Sequence, residues 1–106
     1  MTGDYLLVLT TCPDAESART IARALVGERL AACVNRIDGV ASIYRWEGEV
    51  RDDRECLLLV KTSAAAYERL AARLTALHPY EVPEIVALPV ARGSAGYLRW
   101  ITAATA

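Results

Sequence analysis

The chain has 106 residues, which suits one domain, residues 1–106, and leaves too little for two. Hydrophobic residues make up 54% of it, above the usual share for a soluble domain of this size, so some apolar surface is expected to meet another subunit. The formal net charge of -1 provides no basic footprint for nucleic acid or for an anionic membrane. No apolar run approaches the roughly 18 residues that span a bilayer. The start, Met1-Thr2-Gly3-Asp4-Tyr5, lacks the basic region of a signal peptide, and a cytoplasmic location is expected.

Tyr5-Leu6-Leu7-Val8-Leu9-Thr10 is an unbroken apolar run and predicts a strand buried on both faces. Thr11-Cys12-Pro13-Asp14 breaks it, with Asp14 as a helix N-cap. Ala18, Ile21, Ala22, Leu25 and Val26 recur at helical spacing, which predicts an amphipathic helix from 14 to about 29. A second strand is expected to start in Leu30-Ala31-Ala32-Cys33-Val34. Asp38-Gly39 interrupts it as a bulge, and it resumes through Val40 to Trp46. Alternation there puts Ser42, Tyr44 and Trp46 on one face.

Glu47-Gly48 fits a two-residue hairpin turn. The return strand is charged at first, through Arg51-Asp52-Asp53-Arg54, and then wholly apolar through Cys56-Leu57-Leu58-Leu59-Val60. Thr62 or Ser63 can cap the next helix, whose stripe is Tyr67, Leu70, Ala71, Leu74 and Leu77. It ends ahead of His78-Pro79, because the residue before proline avoids the helical region. Glu84 to Leu88 predicts a fourth strand, placed at a sheet edge by Pro89. A short C-terminal helix from about Ser94 carries Tyr97, Leu98, Trp100 and Ile101.

The order β-α-β-β-α-β predicts an α+β fold, a ferredoxin-like sandwich with a C-terminal helix. Its central strands would be the first and third, which are also the most continuously apolar. The long second and third strands would project as a ribbon. Tyr44 and Trp46 on that ribbon are costly to expose, which points to a covering subunit.

His78-Pro79-Tyr80-Glu81-Val82-Pro83-Glu84 is the densest chemical cluster, with the only histidine, two glutamates either side of a proline, and a phenol. Imidazole, carboxylate and thiolate are ordinary transition-metal ligands. The plainer reading is that the prolines shape a turn and His78 caps the preceding helix. Cys12, Cys33 and Cys56 are odd in number and none has C-x-x-C spacing, which argues against a disulfide framework and for small buried hydrophobes. Cys12, in a loop before a helix N-terminus, is the more reactive candidate. Copper-chaperone domains share the topology but place two thiols in the first loop, where this chain offers Cys12 alone. Lys61 and Glu55, at the ends of the apolar third strand, are either solvated rim charges or groups in a cleft between subunits. No phosphate loop, no H-E-x-x-H and no nucleophile beside His78 marks an enzyme.

The motifs Leu30-Ala31-Ala32-Cys33-Val34, Ser42-Ile43-Tyr44-Arg45-Trp46-Glu47-Gly48, Glu55, Leu59-Val60-Lys61-Thr62, His78 to Ile85 and Tyr97-Leu98-Arg99-Trp100-Ile101, in this order, resemble the CutA divalent-cation-tolerance family over nearly the whole chain. The resemblance implies a ferredoxin-like protomer in a homotrimer assembled like the PII signalling proteins. It implies tolerance of divalent cations, with copper binding attributed to some members. No cofactor is required, though Cu(II) or another divalent cation is an expected ligand. Carried over, the metal set would be His78, Cys33 and Glu84. Trp46, Glu55, Lys61, Tyr80, Tyr97 and Trp100 would line an inter-subunit cleft, and Tyr44 and Trp46 the trimer ribbon. Some relatives carry a thiol in the first strand where this chain has Thr10, with Cys12 two residues later. The alternative reading is a PII-like sensor that binds a small metabolite between subunits without intrinsic metal function. Expected partners are further copies of the chain and divalent ions, with no nucleic acid and no membrane; no motif identifies a downstream protein.

Overall fold

The computed structural model describes residues 4–106, so residues 1–3, part of the segment read for a leader, lie outside it. Among the described residues the order is β1 (Tyr5–Cys12), α1 (Ala15–Gly27), β2 (Cys33–Trp46), β3 (Glu49–Ser63), α2 (Tyr67–Leu77), β4 (Val86–Pro89) and α3 (Ala95–Ala104), with a 3-10 turn at Ala64–Ala66. The strands form one antiparallel sheet in the order β2-β3-β1-β4, so β1 and β3 are central as expected. The fold is α+β, with the ferredoxin-like strand order.

Local chemistry explains the boundaries. Asp14 N-caps α1, its carboxylate accepting from Ser17 N–H at 2.8 Å. The acceptor role holds the Asp14 carboxyl below its usual range. At the other end Arg29 takes a left-handed φ of 62°, and the N–H groups of Leu30 and Ala31 turn back to Leu25 O. That closure uses donors a ladder would need, so β2 begins at Cys33 and not at Leu30. Ser63 caps the 3-10 turn by accepting from Ala66 N–H, and α2 stops at His78 before Pro79. Glu47 and Gly48, with φ of 51° and 79°, make the hairpin turn in the two-residue form whose twist matches the strands. The register of β2 on β3 slips between Ile37 and Val40, with Gly39 at φ 71°, which is the expected bulge.

β4 runs from Val86 to Pro89, shifted toward the C-terminus of the predicted span, because its pairing with β1 starts opposite Leu9. Its place at the sheet edge tolerates Pro89. β1 reaches Cys12, two residues further than predicted, because Thr11 and Cys12 still pair with Leu57 and Cys56.

The core lies on one face of the sheet. Val8, Cys12, Cys56, Leu58 and Val60 pack there against Ile21, Leu25, Leu70 and Leu74 of α1 and α2. The opposite face, with Leu7, Leu9, Leu57 and Leu59, is only half-buried, so β1 is not buried on both faces by its own chain. α3 covers one end of that face: Ile101 is buried, and Thr105 Oγ1 donates to Ser63 Oγ at 3.0 Å. Arg29 closes the α3 C-terminus by donating to the carbonyls of Ala103 at 2.5 Å and Ala106 at 3.1 Å. The rest of the face leaves Ile37, Val86 and Leu88 each more than 45% exposed.

Candidate functional site

Beyond the bulge, β3 continues outward as a ribbon with β2, and the molecule reaches 44 Å along its long axis. Ser42, Tyr44 and Trp46 stand opposite Asp53, Arg51 and Glu49, on the face that continues the half-buried side of the sheet. The segment after α2 crosses the end of β1 and supplies Pro79, Tyr80, Glu81, Val82 and Glu84. Between them lies a groove of about 680 Å³, floored by Thr11 and Glu55 and walled by Tyr44, Trp46 and Tyr80. Its volume lies within the range of small-molecule sites.

Glu55 is the best-held group there. It is only 8% exposed, and the Tyr80 hydroxyl donates to its Oε2 at 2.6 Å. Burial, and then donation to Glu55, push the Tyr80 phenol above its ordinary range. The Tyr44 hydroxyl donates to Asp53 on the neighbouring strand, which raises its pKa as well. Two phenols thus lie beside two carboxylates, while Glu81 and Glu84 are exposed on the facing loop and Arg51 is the cation of the lining.

His78 lies on the other side of the sheet end. It is 7% exposed, and both ring nitrogens are engaged. Nε2 lies 2.8 Å from Thr11 O, an acceptor, so Nε2–H donates; Nδ1 accepts from Tyr80 N–H at 3.1 Å. The ring is a clasp that joins the α2–β4 segment to the end of β1 and lies against Tyr80, centroids 4.8 Å apart and planes tilted by 43°. Cys12 Sγ is 3.9 Å from Nε2. Cys12 is fully buried in β1 and does not sit in a loop. Burial, with lesser help from Cys56, Asp14 and Glu55, pushes its thiol from 9.0 up to about 11. The expected activation by the helix N-terminus is therefore overturned: desolvation dominates.

The sequence-predicted residues fall into two sets. Trp46, Glu55, Tyr80 and Glu84 surround the groove. Lys61, Tyr97 and Trp100 gather at the opposite end of the sheet with Cys33. There Lys61 Nζ donates to Asn35 Oδ1 at 2.7 Å and sits 5.9 Å over the Tyr97 ring, which lies 5.4 Å from Trp100. Cys33 Sγ is 3.9 Å from the same Asn35 oxygen. Lys61 is six positions along β3 from Glu55, about 20 Å at strand rise. The chain therefore does not bring His78, Cys33 and Glu84 together. Among the described residues no group of three His, Cys, Asp or Glu side chains is arranged to hold a metal ion. Sequence reasoning missed the groove floor at Thr11 and the cation Arg51; the alternation that placed Tyr44 and Trp46 on one face would also have found Arg51 opposite Tyr44.

A family model described as CutA1 divalent ion tolerance protein matches residues 6–104. The chain belongs to the CutA1 divalent ion tolerance family. It is 62% identical over 95 residues to the divalent-cation tolerance protein CutA of Thermus thermophilus, covering 90% of this chain and 92% of that one. It is 43% identical over 103 residues to human Protein CutA, covering 97% of this chain and 58% of the human protein. Among solved structures, CutA from Xylella fastidiosa superposes with a TM-score of 0.95 at 46% identity, covering 97% of this chain and 99% of that one. The Thermus thermophilus structure superposes with a TM-score of 0.89 at 61% identity, covering 92% and 94%.

Proposed function

We propose that this CutA1-family chain is a homotrimeric, PII-like binding protein that takes up a divalent cation such as Cu(II) in its groove, with further donors from a neighbouring subunit. The carrying observation is the lining of that groove: Glu55, Glu81 and Glu84 supply carboxylates with no other cation than Arg51. Relatives named for divalent-cation tolerance support the ligand class. His78 is a positioning residue in this reading, since both its nitrogens are engaged within the chain.

The assembly is supported by apolar area that the chain leaves bare. Ile43 is 71% and Val50 66% exposed on the ribbon, and Ile37, Val86 and Leu88 lie open on the sheet. The separation of the cleft residues into two ends supports it too, since a head-to-tail contact would place the Lys61 end of one subunit near the Glu55 end of another. The protein would act in the cytoplasm, without catalysis and without an obligatory cofactor.

Calorimetric titration with Cu(II) and Zn(II) tests the site. Saturable binding weakened about tenfold or more by Glu55→Gln or Glu84→Gln, and unchanged by His78→Ala, is the expected result. Binding indifferent to both carboxylates sinks it. The aromatic walls, Tyr44, Trp46 and Tyr80, favour a second reading, a small metabolite held between subunits. A metabolite that raises Tm in the presence of a chelator would establish that reading.

A further inference from the structure

The copper-chaperone comparison fails in sequence because the first loop offers one thiol. The fold supplies a second. Cys12 at the end of β1 is the direct register partner of Cys56 on β3, and both side chains point into the helix-covered core. Ala64 N–H donates to Asp4 O at 2.8 Å, and these two residues continue the same register. That makes the even-numbered β1 positions the hydrogen-bonded pairs, so Cys12 and Cys56 form such a pair, with Cα atoms about 5.5 Å apart. Directly opposed Cβ atoms are about 4.5–5.5 Å apart, and hydrogen-bonded pairs take the wide end. Both cysteines are free thiols that face each other across the ladder. An ion can bridge such a pair: two metal–sulfur bonds of about 2.3 Å span up to about 4.6 Å.

We propose that Cys12 and Cys56 form a two-thiolate site for a soft divalent d10 cation, distinct from the groove. Two thiolates suffice for linear coordination, which is consistent with the absence of any three-ligand cluster among the described residues. Softness follows from sulfur donors. Charge favours a divalent ion: burial penalises each lone thiolate, but one M2+ with two thiolates is neutral and suits an apolar core. In the binding step each S–H bond breaks and its proton goes to solvent, two S–M bonds form, and water leaves the ion; no oxidation state changes. Cys56, 6% exposed and with Sγ 3.3 Å from Asp38 Oδ1, is the side of entry, and Cys12 is the inner ligand. His78 Nε2 lies 3.9 Å from Cys12 Sγ while its N–H stays on Thr11 O.

The site does not rest on the groove reading, and its test is separate. Reduced full-length protein is titrated with Hg(II), and in parallel with Cd(II), in the presence of excess monothiol, so that only a chelating pair retains the ion. One ion per chain with ultraviolet sulfur-to-metal absorption is expected. Cys12→Ser and Cys56→Ser should each weaken binding by about a hundredfold or more, while Cys33→Ser leaves it unchanged. If the buried variants fail to fold, alkylation mapping of the wild-type chain decides: the ion must protect Cys12 and Cys56 and leave Cys33 open. Protection of Cys33 instead, or retention of the ion without Cys56, overturns the proposal.

Discussion

The two halves of β3 differ more than any two neighbouring segments of the molecule. From Cys56 to Ser63 the strand lies between β1 and β2, and Leu58, Val60 and Thr62 are fully buried. From Glu49 to Arg54 it pairs with β2 alone, and every residue is exposed. The inner half is completed by its own chain, because α1 and α2 cover it. The outer half carries apolar groups with no cover: Val50, and Ile43 and Trp46 across the ladder. One strand therefore does two jobs. Its inner part specifies the protomer, and its outer part presents surface suited to a neighbour. Glu55 sits at the junction, which is why the groove opens there.

The largest effect that would test this contrast comes from the inner half. Leu58→Ala should cost about 2–5 kcal/mol in chemical denaturation, since the side chain is fully buried among both helices. The paired ribbon change, Ile43→Ser with Val50→Ser, should leave the stability of the single protomer within about 0.5 kcal/mol while abolishing the proposed assembly in light scattering. A ribbon variant whose light-scattering mass matches that of the wild-type chain would show that the bare surface is not an interface.

At the next scale lies pH. Cys12 is neutral and buried, and burial raises its folded pKa to about 11 from an ordinary value of 9.0. Its contribution is fully present below about pH 9 and is lost as pH rises to about 11, amounting to about 2–3 kcal/mol. Tyr80, raised for the same main reason, adds loss at still higher pH. Denaturation midpoints measured from pH 8 to 11 should fall steeply, and Cys12→Ala should flatten the lower part of that fall; an unchanged slope would remove Cys12 as the cause.

Tyr80→Phe should cost about 1–3 kcal/mol, because it leaves buried Glu55 without its donor. Under the proposed groove reading the same change should also alter cation affinity, which a loss confined to stability would not do. The smallest effect is at Asp14. Asp14→Ala should lower Tm slightly by removing the α1 cap. The wild-type cap should itself fade as pH falls through the depressed Asp14 pKa, since a lowered folded pKa gives stability only above it.

Much of the fold was legible because it rests on local signals. Asp14, the Asp38-Gly39 break, Glu47-Gly48, Pro79 and Pro89 each mark a boundary through backbone chemistry that needs no distant partner. Periodicity found α2, whose Leu70 and Leu74 are fully buried. The misplaced boundaries have non-local causes. Cys12 joined β1 because Cys56 was there to pair with it, and β2 began late because α1 turned its closing donors inward.

By itself the sequence determined the element order, the two central strands and the faces of the ribbon, since each follows from alternation, helical spacing or a turn residue. It also determined the family, through motifs spread over the chain. Only the tertiary structure decided which side chains meet. It engaged both nitrogens of His78, set Glu55 under Tyr80, sent Lys61 and Cys33 to the far end of the sheet, and placed Cys56 opposite Cys12. Apart from the local bond between His78 and Tyr80, these are contacts between residues tens of positions apart, and strand register, which no local pattern encodes, is what brings them within reach.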